Sequence, residues 1–337
     1  MEYDSLSGRS YLLGRQIGKG GEGRLYEIVN DRQFVAKLYY PRLRTVHRER
    51  KLRIMLLQAP RSEEIDSQFA WPRDILYLNG RMIGFVMRRV DGAPLNSLFD
   101  RKDLPLGKRI TVAKNLCIAV RALHASGNVI GDVNPENVLV NSAGLVRLID
   151  CDSFQIIDKR NNAVYGCEVA KPEYLAPSMA RRVPKGESFK SVSSGFNVET
   201  DTFSLAVLLF QLLMNGTHPF CCALARGSSS DHVPQPADNI RAGFFPYDGC
   251  PSGFRLPIYA LPYKLLSEQL RFLFSKAFGK GGHVPAEGWY QALCSLEQEL
   301  TKVCKTNPNH RFRKGLRSCP YCATEKKIAS FFKNQRK

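Results

Sequence analysis

The chain has 337 residues, of which 44% are hydrophobic and 24% charged, and its formal net charge at pH 7 is +18. These proportions are typical of a soluble globular protein with one large domain or two smaller ones. The opening residues, MEYDSLSGRS, lack the apolar core of a secretory signal, and the longest apolar run, residues 203–214, is too short to span a bilayer. A secreted or membrane-spanning protein is therefore not expected.

Ten cysteines are scattered along the chain rather than arranged as a framework. In a chain this long, reduced thiols are the simplest explanation, which predicts a cytoplasmic protein with no membrane partner. The positive charge favours anionic partners, such as nucleic acid, nucleotide phosphates or acidic protein surfaces. Charge alone does not choose among them.

A glycine-rich turn joins the first two predicted strands. Residues 11–17 and 24–29 read as strands, and the turn between them is GKGGEG, residues 18–23. Such a turn lets backbone N–H groups approach phosphate oxygens. A strand after the glycines argues against a dinucleotide fold, in which a helix would follow. Alone, the pattern also fits a flexible hairpin.

Three further segments complete the first part of the chain. Lys37 lies in a predicted strand, residues 33–39, within the pattern VAKLY. Residues 45–58 are predicted to form a helix that ends before Pro60, since proline does not continue a helix. Glu49 is the only acid in this helix. Residues 82–95, MIGFVMRRVDGAPL, then give an apolar strand and a polar connection.

The polar residues with the clearest chemistry lie between residues 128 and 154. A predicted helix, residues 106–126, leads into this stretch, where two apolar segments, 138–140 and 145–149, flank an Asn-Ser-Ala-Gly turn. The resulting hairpin brings Asp132, Asn137 and Asp150 together. Their oxygens suit a hard divalent cation and a hydroxyl that must lose a proton.

Taken together, these segments resemble the protein kinases. Residues 131–137 resemble the catalytic loop and residues 150–152 the metal-binding loop, while KPEYLAPS, residues 171–178, resembles the end of the activation segment. The resemblance implies an α+β, bilobal fold with a small β-rich lobe, residues 8–90, and a larger helical lobe, residues 91–300. Asp201 would begin the buried central helix of the larger lobe and brace the catalytic loop.

The sequences of several segments are similar to those of one bacterial kinase-like group. These segments are VIGDVNPENVLV, LIDCDSFQ and FAWPRDILYLNGRMIGFVM. Members of that group are often linked to nucleic-acid-binding or to stress-resistance modules, including tellurium resistance. The resemblance therefore implies a cytoplasmic bacterial Ser/Thr-type protein kinase that uses ATP and Mg²⁺.

The same resemblance implies a role for each polar residue of the site. Lys37 would hold the nucleotide phosphates, Asp132 would accept the proton of the substrate hydroxyl, and Asn137 and Asp150 would bind Mg²⁺. Glu49 would aim Lys37, unless it only offsets the basic face of its helix. In that case Glu63 or Glu64 is the next candidate.

An adenine slot is implied in the same way. Met87 would be the gatekeeper, Arg89 and its neighbours would offer backbone groups, and Ala36 and Leu139 would form the apolar ceiling and floor. The glycine turn and the apolar residues beside it would cover the phosphates. These residues are Ile17, Gly18, Gly20, Gly23 and Leu25.

Several positions depart from the kinase pattern. Gly131 stands where many kinases carry the arginine that receives a phosphorylated activation loop, so we expect activity without that phosphorylation. Asn134 replaces a lysine that neutralises the γ-phosphate, and Lys171 stands where threonine is usual. Lys171 would either restore the missing charge from the opposite side or point to solvent. Asp152 would lie near the metal or cap the following turn.

The last segment, residues 301–337, contains the pattern Cys304-x5-His310-x8-Cys319-x2-Cys322. These four side chains suit tetrahedral Zn²⁺, although a redox pair at Cys319 and Cys322, or a hydrated His310, is an alternative. The segment is too short to bury a core, so we expect a zinc-ribbon-like appendage folded by the metal. Its many basic residues would bind nucleic acid or an acidic protein, or form a solvated tail.

Two other functions stay open at this stage. One is a nucleotide-binding pseudokinase scaffold, and the other is a nucleic-acid-binding regulator that uses the basic zinc tail. The leading prediction is a protein kinase whose substrate is either another protein or the kinase itself.

Overall fold

The computed structural model describes residues 2–59, 67–101, 103–183, 192, 194–279 and 282–335. The first lobe is a closed antiparallel barrel with the strand order β1-β2-β3-β4-β6-β5. Its strands are β1 (Glu2–Ser5), β2 (Ser10–Lys19), β3 (Gly23–Ile28), β4 (Asp31–Tyr39), β5 (Pro72–Leu78) and β6 (Arg81–Arg88). Strand β1 closes the barrel by pairing Asp4 with Tyr77, so the lobe begins before residue 8.

Side chains alternate along β4 between two different environments. Val35 and Tyr39 belong to the main core below the barrel, on the face that also carries Lys37. Ala36 lies on the other face, in a separate cluster inside the barrel. The prediction of Ala36 as the ceiling of the adenine slot is therefore wrong, because Ala36 and Lys37 are adjacent on a strand and point to opposite sides.

Helix α1 (Val46–Leu57) packs against the barrel and was predicted from the sequence. The side chain of Thr45 accepts a hydrogen bond from the backbone N–H of Arg48 and so caps the helix. Leu52 and Met55 are buried, and the indole N–H of Trp71 donates to the carbonyl of Met55 at 2.9 Å. These contacts determine which face of α1 is buried against the barrel.

The second lobe is mainly helical. Its helices are α2 (Leu106–Ala125), α3 (Pro177–Ala180), α4 (Val198–Leu213), α5 (Pro236–Ala242), α6 (Glu268–Phe278) and α7 (Ala286–Glu299). Asn197 and Thr200 form a capping box at the start of α4. Almost all of α4 is buried, and its sequence beyond the first turn is accordingly rich in apolar residues on all sides.

Short strands complete the second lobe. The predicted hairpin is present as β8 (Val138–Val140) and β9 (Val146–Leu148), and β7 (Ala93–Pro94) pairs with β8. Two further short pairs are β10 (Ile156–Asp158) with β11 (Ala163–Tyr165) and β12 (Ala223–Leu224) with β13 (Phe254–Arg255). The β8–β9 hairpin lies below the barrel, where residue 70 bonds to residue 148, and it sets the floor of the cleft between the lobes.

The C-terminal segment packs onto the second lobe rather than standing apart as an appendage. It forms a hairpin of β14 (Lys302–Val303) and β15 (Arg311–Phe312), followed by helix α8 (Pro320–Gln335). Phe312, Leu316 and Tyr321 belong to the main hydrophobic core. A hairpin followed by a helix also differs from the ribbon that we expected. Burial against the larger lobe supplies the core that a segment this short lacks by itself.

Within the described ranges, every helix is too short or too polar to cross a membrane.

Candidate active site

The glycine turn is fixed at both ends by backbone contacts. The N–H of Gly20 donates to the carbonyl of Gly23 at 2.9 Å, and the N–H of Tyr40 donates to the carbonyl of Glu22 at 3.0 Å. A Cβ on Gly23 would lie 2.3 Å from the carbonyl oxygen of Leu38, so only glycine fits there. Ile17, Gly18 and Leu25 flank the turn, with Gly18 opposite Leu25 in the strand register, so the predicted phosphate-facing residues lie together.

Lys37 lies at the centre of a cluster of acidic side chains. Its Nζ donates to Asp150 Oδ1 at 2.5 Å and to both carboxylate oxygens of Asp152 at 2.8 and 2.9 Å. Glu22 of the glycine turn is 3.6 Å away. Burial alone would lower the pKa of Lys37, but Asp152, Asp150 and Glu22 raise it above its usual value. Lys37 therefore stays charged in this cleft.

Glu49 does not contact Lys37, and its predicted role is wrong. The Glu49 carboxylate instead accepts hydrogen bonds from Arg53 at 2.8 Å and from the hydroxyl of Tyr77 at 2.7 Å. The inward face of α1 carries Lys51, Leu52 and Met55, which are buried. The other two candidates, Glu63 and Glu64, lie outside the described residues.

Two cations on α1 face the cleft, and neither was predicted from the sequence to do so. Arg48 makes a bidentate pair with Glu22, at 2.9 and 2.7 Å. Lys51 donates to the carbonyl of Gly166 at 3.3 Å, and burial lowers its pKa to about 8. Two features of the sequence could have predicted these contacts. Arg48 and Lys51 are three residues apart, which places them on one face of the helix, and Glu22 in the glycine turn is an acid that could pair with one of them.

Asp132 is held in a network of short polar contacts. The Nδ2 of Asn137 donates to its Oδ2 at 3.1 Å, and the backbone N–H of Lys171 donates to its Oδ1 at 3.3 Å. Burial raises the pKa of Asp132 above the usual value for an aspartate. A fixed carboxylate of increased basicity suits a proton acceptor.

Asp201 braces the catalytic loop, as the resemblance implied. Its carboxylate accepts hydrogen bonds from the backbone N–H groups of Ile130 at 2.7 Å and Gly131 at 2.8 Å. The Nε2 of His124 lies 2.9 Å from the same carboxylate. A fully buried carboxylate needs several partners, and these three satisfy it.

Gly131 is required by the space around it. Its φ is +80°, and a Cβ would lie 2.6 Å from the Cβ of Cys167, which is buried in the activation segment. An arginine at residue 131 would therefore clash with Cys167. Together with the contact from Lys51 to Gly166, this packing fixes the activation segment against the catalytic loop and α1.

Lys171 and Asn134 do not meet across the site. Asn134 is buried, and its Oδ1 accepts a hydrogen bond from the backbone N–H of Glu136 at 2.9 Å. The ammonium of Lys171 forms an ion pair with the carboxylate of Glu136. Lys171 thus lies beside the catalytic loop, bound to a neighbour of Asn137 rather than free in solvent, and its predicted catalytic role stays a prediction.

The apolar residues predicted to line an adenine slot come from both lobes. Met87 is the register partner of Val35, and Leu139 on β8 pairs with Pro94 below them. Val35 thus takes the place that we had expected for Ala36. The N–H of Arg89 already donates to the carbonyl of Gln33 at 2.7 Å, so it is not available to adenine.

The residues predicted to bind Mg²⁺ fit that ion chemically. The N–H of Ile149 donates to the carbonyl of Asn137 at 3.0 Å, which holds the catalytic and metal-binding loops together. Asn137 donates through Nδ2 to Asp132, so its Oδ1 is the atom left to serve as a ligand. An amide oxygen and the Asp150 carboxylate are ligands that Mg²⁺ prefers.

The four predicted zinc ligands converge in the C-terminal segment. Sulfur atoms of Cys304 and Cys322 are 3.6 Å apart, and Nδ1 of His310 lies 3.6 Å from Cys319 Sγ and 3.5 Å from Cys322 Sγ. A tetrahedral zinc site with normal bond lengths requires about 3.8 Å between sulfurs and about 3.5 Å between sulfur and nitrogen. All four ligand atoms lie within 4.8 Å of one another, so the cluster fits zinc.

The surroundings of the cluster also suit a metal. The N–H groups of Asn307 and Thr306 lower the pKa of Cys304 to about 6, which favours the thiolate. On the far side of the imidazole, Nε2 of His310 lies 3.3 Å from the side-chain amide of Asn307 and 3.8 Å from a carboxylate oxygen of Glu325. A carboxylate behind a ligating histidine is a frequent feature of zinc sites.

Two lobes with a lysine, a catalytic carboxylate and a metal-binding carboxylate in the cleft between them define a phosphotransferase of the kinase class. The protein kinase domain family matches residues 11–235, more than half of the chain. The chain therefore belongs to the protein kinase family, which confirms the enzyme class and the bilobal fold expected from the sequence.

Curated relatives agree with this assignment. Protein kinase YegI of Escherichia coli K12 is 28% identical over 340 residues, covering 97% of this chain and 50% of that protein. Serine/threonine-protein kinase PknA of Mycobacterium tuberculosis H37Rv is 26% identical over 242 residues, covering 69% of this chain and 52% of PknA. Serine/threonine-protein kinase Pkn1 of Myxococcus xanthus is 27% identical over 226 residues, covering 63% of this chain and 29% of Pkn1. The chain spans about half the length of YegI and PknA.

Proposed function

We propose that the protein transfers the γ-phosphoryl group of ATP to a serine or threonine hydroxyl of a protein, in a reaction that depends on Mg²⁺. The observation that carries this proposal is the meeting of Lys37 and Asp150 at 2.5 Å, across the cleft and beside the loop of Asp132 and Asn137. A nucleotide-binding scaffold without activity would not need a basic, buried carboxylate at residue 132.

Each residue would contribute by position and charge. Lys37 would bind the nucleotide phosphates, and the backbone N–H groups of the glycine turn would cover them. Asp132 would orient the substrate hydroxyl and accept its proton as the new bond to phosphorus forms. Asn137 and Asp150 would hold Mg²⁺, which when bound neutralises charge on the phosphates.

Labelled ATP tests this proposal most simply. The wild type and Asp132→Asn are incubated with Mg²⁺, γ-labelled ATP and a generic protein substrate, and labelled residues are identified by mass spectrometry. Asp132→Asn should lose about 10²- to 10⁴-fold in rate because the proton acceptor is gone. Both forms should bind ADP equally, which serves as the control. A wild type that binds nucleotide and transfers nothing would favour the scaffold.

A structural zinc ion in the Cys/His cluster is part of the same proposal. One sulfur-to-sulfur distance of 3.6 Å, between Cys304 and Cys322, and two sulfur-to-Nδ1 distances of 3.6 and 3.5 Å at His310 support it, because they match the separations of ligand atoms around a tetrahedral zinc ion. The purified protein should contain one zinc per chain, measured by plasma mass spectrometry, and Cys319→Ser with Cys322→Ser should remove it. Metal-free wild type with a Cys319–Cys322 disulfide would support the redox alternative.

Partner binding by the C-terminal segment is a second candidate function. Seven cations in the described part of this segment are exposed: Lys305, Arg311, Lys314, Arg317, Lys326, Lys327 and Lys333. Arg313 is instead bound to the carbonyl of Leu266, and Arg336 and Lys337 lie outside the described residues. These exposed cations would attract nucleic acid or an acidic protein.

Reversal of two exposed charges tests this function better than removal of the segment, which would also remove core residues. Lys326→Glu with Lys327→Glu should weaken binding to a DNA or RNA oligonucleotide in a salt-dependent way. Unchanged binding would exclude this surface. Loss of protein binding with no effect on nucleic acid would favour an acidic protein partner.

A further inference from the structure

Asp152, a buried acid that contacts Lys37, lies on the metal-binding loop and not on helix α1. Asp152 reaches Lys37 Nζ with both carboxylate oxygens, whereas Glu49 is bound to Arg53 and Tyr77 elsewhere. We propose that Asp152 is the positioning residue that holds Lys37 for phosphoryl transfer, in place of a carboxylate on α1. This inference rests on the proposed function and adds to it the residue that aims Lys37.

Strand β4 presents two donors to this one carboxylate. Lys37 and Tyr39 lie two residues apart, so they share a face of the strand, and the hydroxyl of Tyr39 donates to Asp152 Oδ2 at 2.8 Å. The side chain of Asp152 is only 1% exposed. A buried carboxylate is costly unless its oxygens are paired, and here both oxygens are. The arrangement fixes the direction of Asp152 and, through it, the position of Lys37.

Asp150 is less suited to this role. Its side chain is 35% exposed, and it is the residue of the metal-binding loop that would bind Mg²⁺. A carboxylate that turns its oxygens toward a metal ion gives up part of its contact with an ammonium group. Asp152 then remains as the fixed partner of Lys37. The two acids of the sequence Asp-Cys-Asp would thus divide the two tasks.

Helix α1 is coupled to the cleft by other residues. Arg48 binds the glycine turn through Glu22, and Lys51 binds the activation segment through the carbonyl of Gly166. Both side chains are cationic, so without an intervening acid they would repel Lys37. Asp152 lies between these charges, 3.9 Å from Arg48. The position of Lys37 therefore depends on the metal-binding loop more than on α1.

Two isosteric variants separate the two acids. In Asp152→Asn, kcat should fall about 10- to 100-fold because Lys37 is misplaced, while KM for ATP changes less than about threefold. The magnesium concentration for half-maximal rate should rise, since Asp150 is then the acid that still accepts a hydrogen bond from Lys37, and Mg²⁺ competes with Lys37 for it. Glu49→Gln, the matched control, should keep both constants. An unchanged kcat in a folded Asp152→Asn, or an equal loss in Glu49→Gln, would overturn the inference.

Two further measurements keep the inference testable in every case. If Asp152→Asn does not fold, Tyr39→Phe removes one donor without a charge and should lower kcat about threefold; a folded Tyr39→Phe with full kcat would contradict us. Crystal structures of the variants need no activity. Lys37 Nζ should leave its present position in Asp152→Asn and keep it in Glu49→Gln, even if the wild type proves inactive and the proposed function fails.

Discussion

The nucleotide cleft and the Cys/His cluster both gather polar side chains from distant segments, but they balance charge in different ways. In the cleft, Lys37 and Arg48 form ion pairs with the carboxylates of Glu22, Asp150 and Asp152. In the cluster, the sulfur atoms of Cys304, Cys319 and Cys322 contact one another or His310. The cleft is therefore assembled by its own ion pairs, whereas the cluster needs an external cation if its thiols are ionised.

This difference predicts that the two regions respond to opposite treatments. Loss of a charge in the cleft should affect the reaction and leave the fold intact, because other partners remain. Loss of metal or of an apolar contact in the C-terminal segment should lower stability first, because that segment joins the core of the second lobe. The following experiments test this separation, from the largest expected effect to the smallest.

Asp150→Asn should give the largest effect. Replacement of the metal-binding carboxylate by an amide should lower phosphoryl transfer by about 10³-fold, equal to about 4 kcal/mol. The melting temperature and zinc content should match the wild type, because Lys37 keeps Asp152 as a partner. Rates are measured with labelled ATP at saturating Mg²⁺. A variant with normal rate would show that Asp150 does not serve the metal.

Tyr321→Ala tests the packing of the C-terminal segment. Tyr321 is 7% exposed and stacks on His310 with ring centroids 4.8 Å apart, so its loss should cost about 3–5 kcal/mol of unfolding free energy. Phe332→Ala, on the exposed face of the same helix, should cost about 0.5 kcal/mol or less. Urea denaturation measures both. Equal values would mean that the segment is not part of the core.

Lys171→Ala sharpens the account of the cleft. If its ammonium restores the charge that Asn134 lacks, the variant should lose about 100-fold in phosphoryl transfer and keep its affinity for ATP. Glu136→Gln is the matched control, since it frees Lys171 from its ion pair without removing the charge. A small change in the rate of phosphoryl transfer by Lys171→Ala would show that the ion pair between Lys171 and Glu136 acts only as an exposed surface pair, which contributes about 1 kcal/mol or less to stability.

Gly131→Ala should give the smallest effect. Both Gly131 and Gly144 have φ near +80°, but only at Gly131 would a Cβ meet another residue closely, at 2.6 Å from Cys167. Gly131→Ala should therefore destabilise the fold by about 1–3 kcal/mol more than Gly144→Ala, which bears only the backbone strain. Thermal unfolding of the two variants gives the difference. Equal destabilisation would show that Cys167 moves aside.

The same packing bears on regulation. Because Cys167 occupies the space beside Gly131, we expect equal activity from protein phosphorylated in the activation segment and from dephosphorylated protein. A large rate difference would contradict this expectation.

Local sequence patterns predicted the residues that share one short segment. The β8–β9 hairpin and the meeting of Asp132 with Asn137 follow from spacing and turn residues. The four residues of the Cys/His cluster also follow, because zinc ligands have characteristic separations. In these cases the chemistry depends on residues that are near one another in the chain or in one motif.

Pairing between distant segments was not predictable in the same way. Lys37 and Asp152 are 115 residues apart, and nothing in the sequence ranks Asp152 above Glu49 as the partner. The error at Ala36 was avoidable, since strand alternation places Val35 beside Lys37. Packing of Tyr321 onto the second lobe depends on tertiary contacts that a motif of metal ligands does not contain.

A structure with Mg²⁺ and a non-hydrolysable ATP analogue tests the central claim most directly. We predict that Lys37 contacts the phosphates, that the metal lies between Asn137 and Asp150, and that the terminal phosphate faces Asp132. Nucleotide phosphates bound away from Lys37, with no metal at Asn137 and Asp150, would contradict the account.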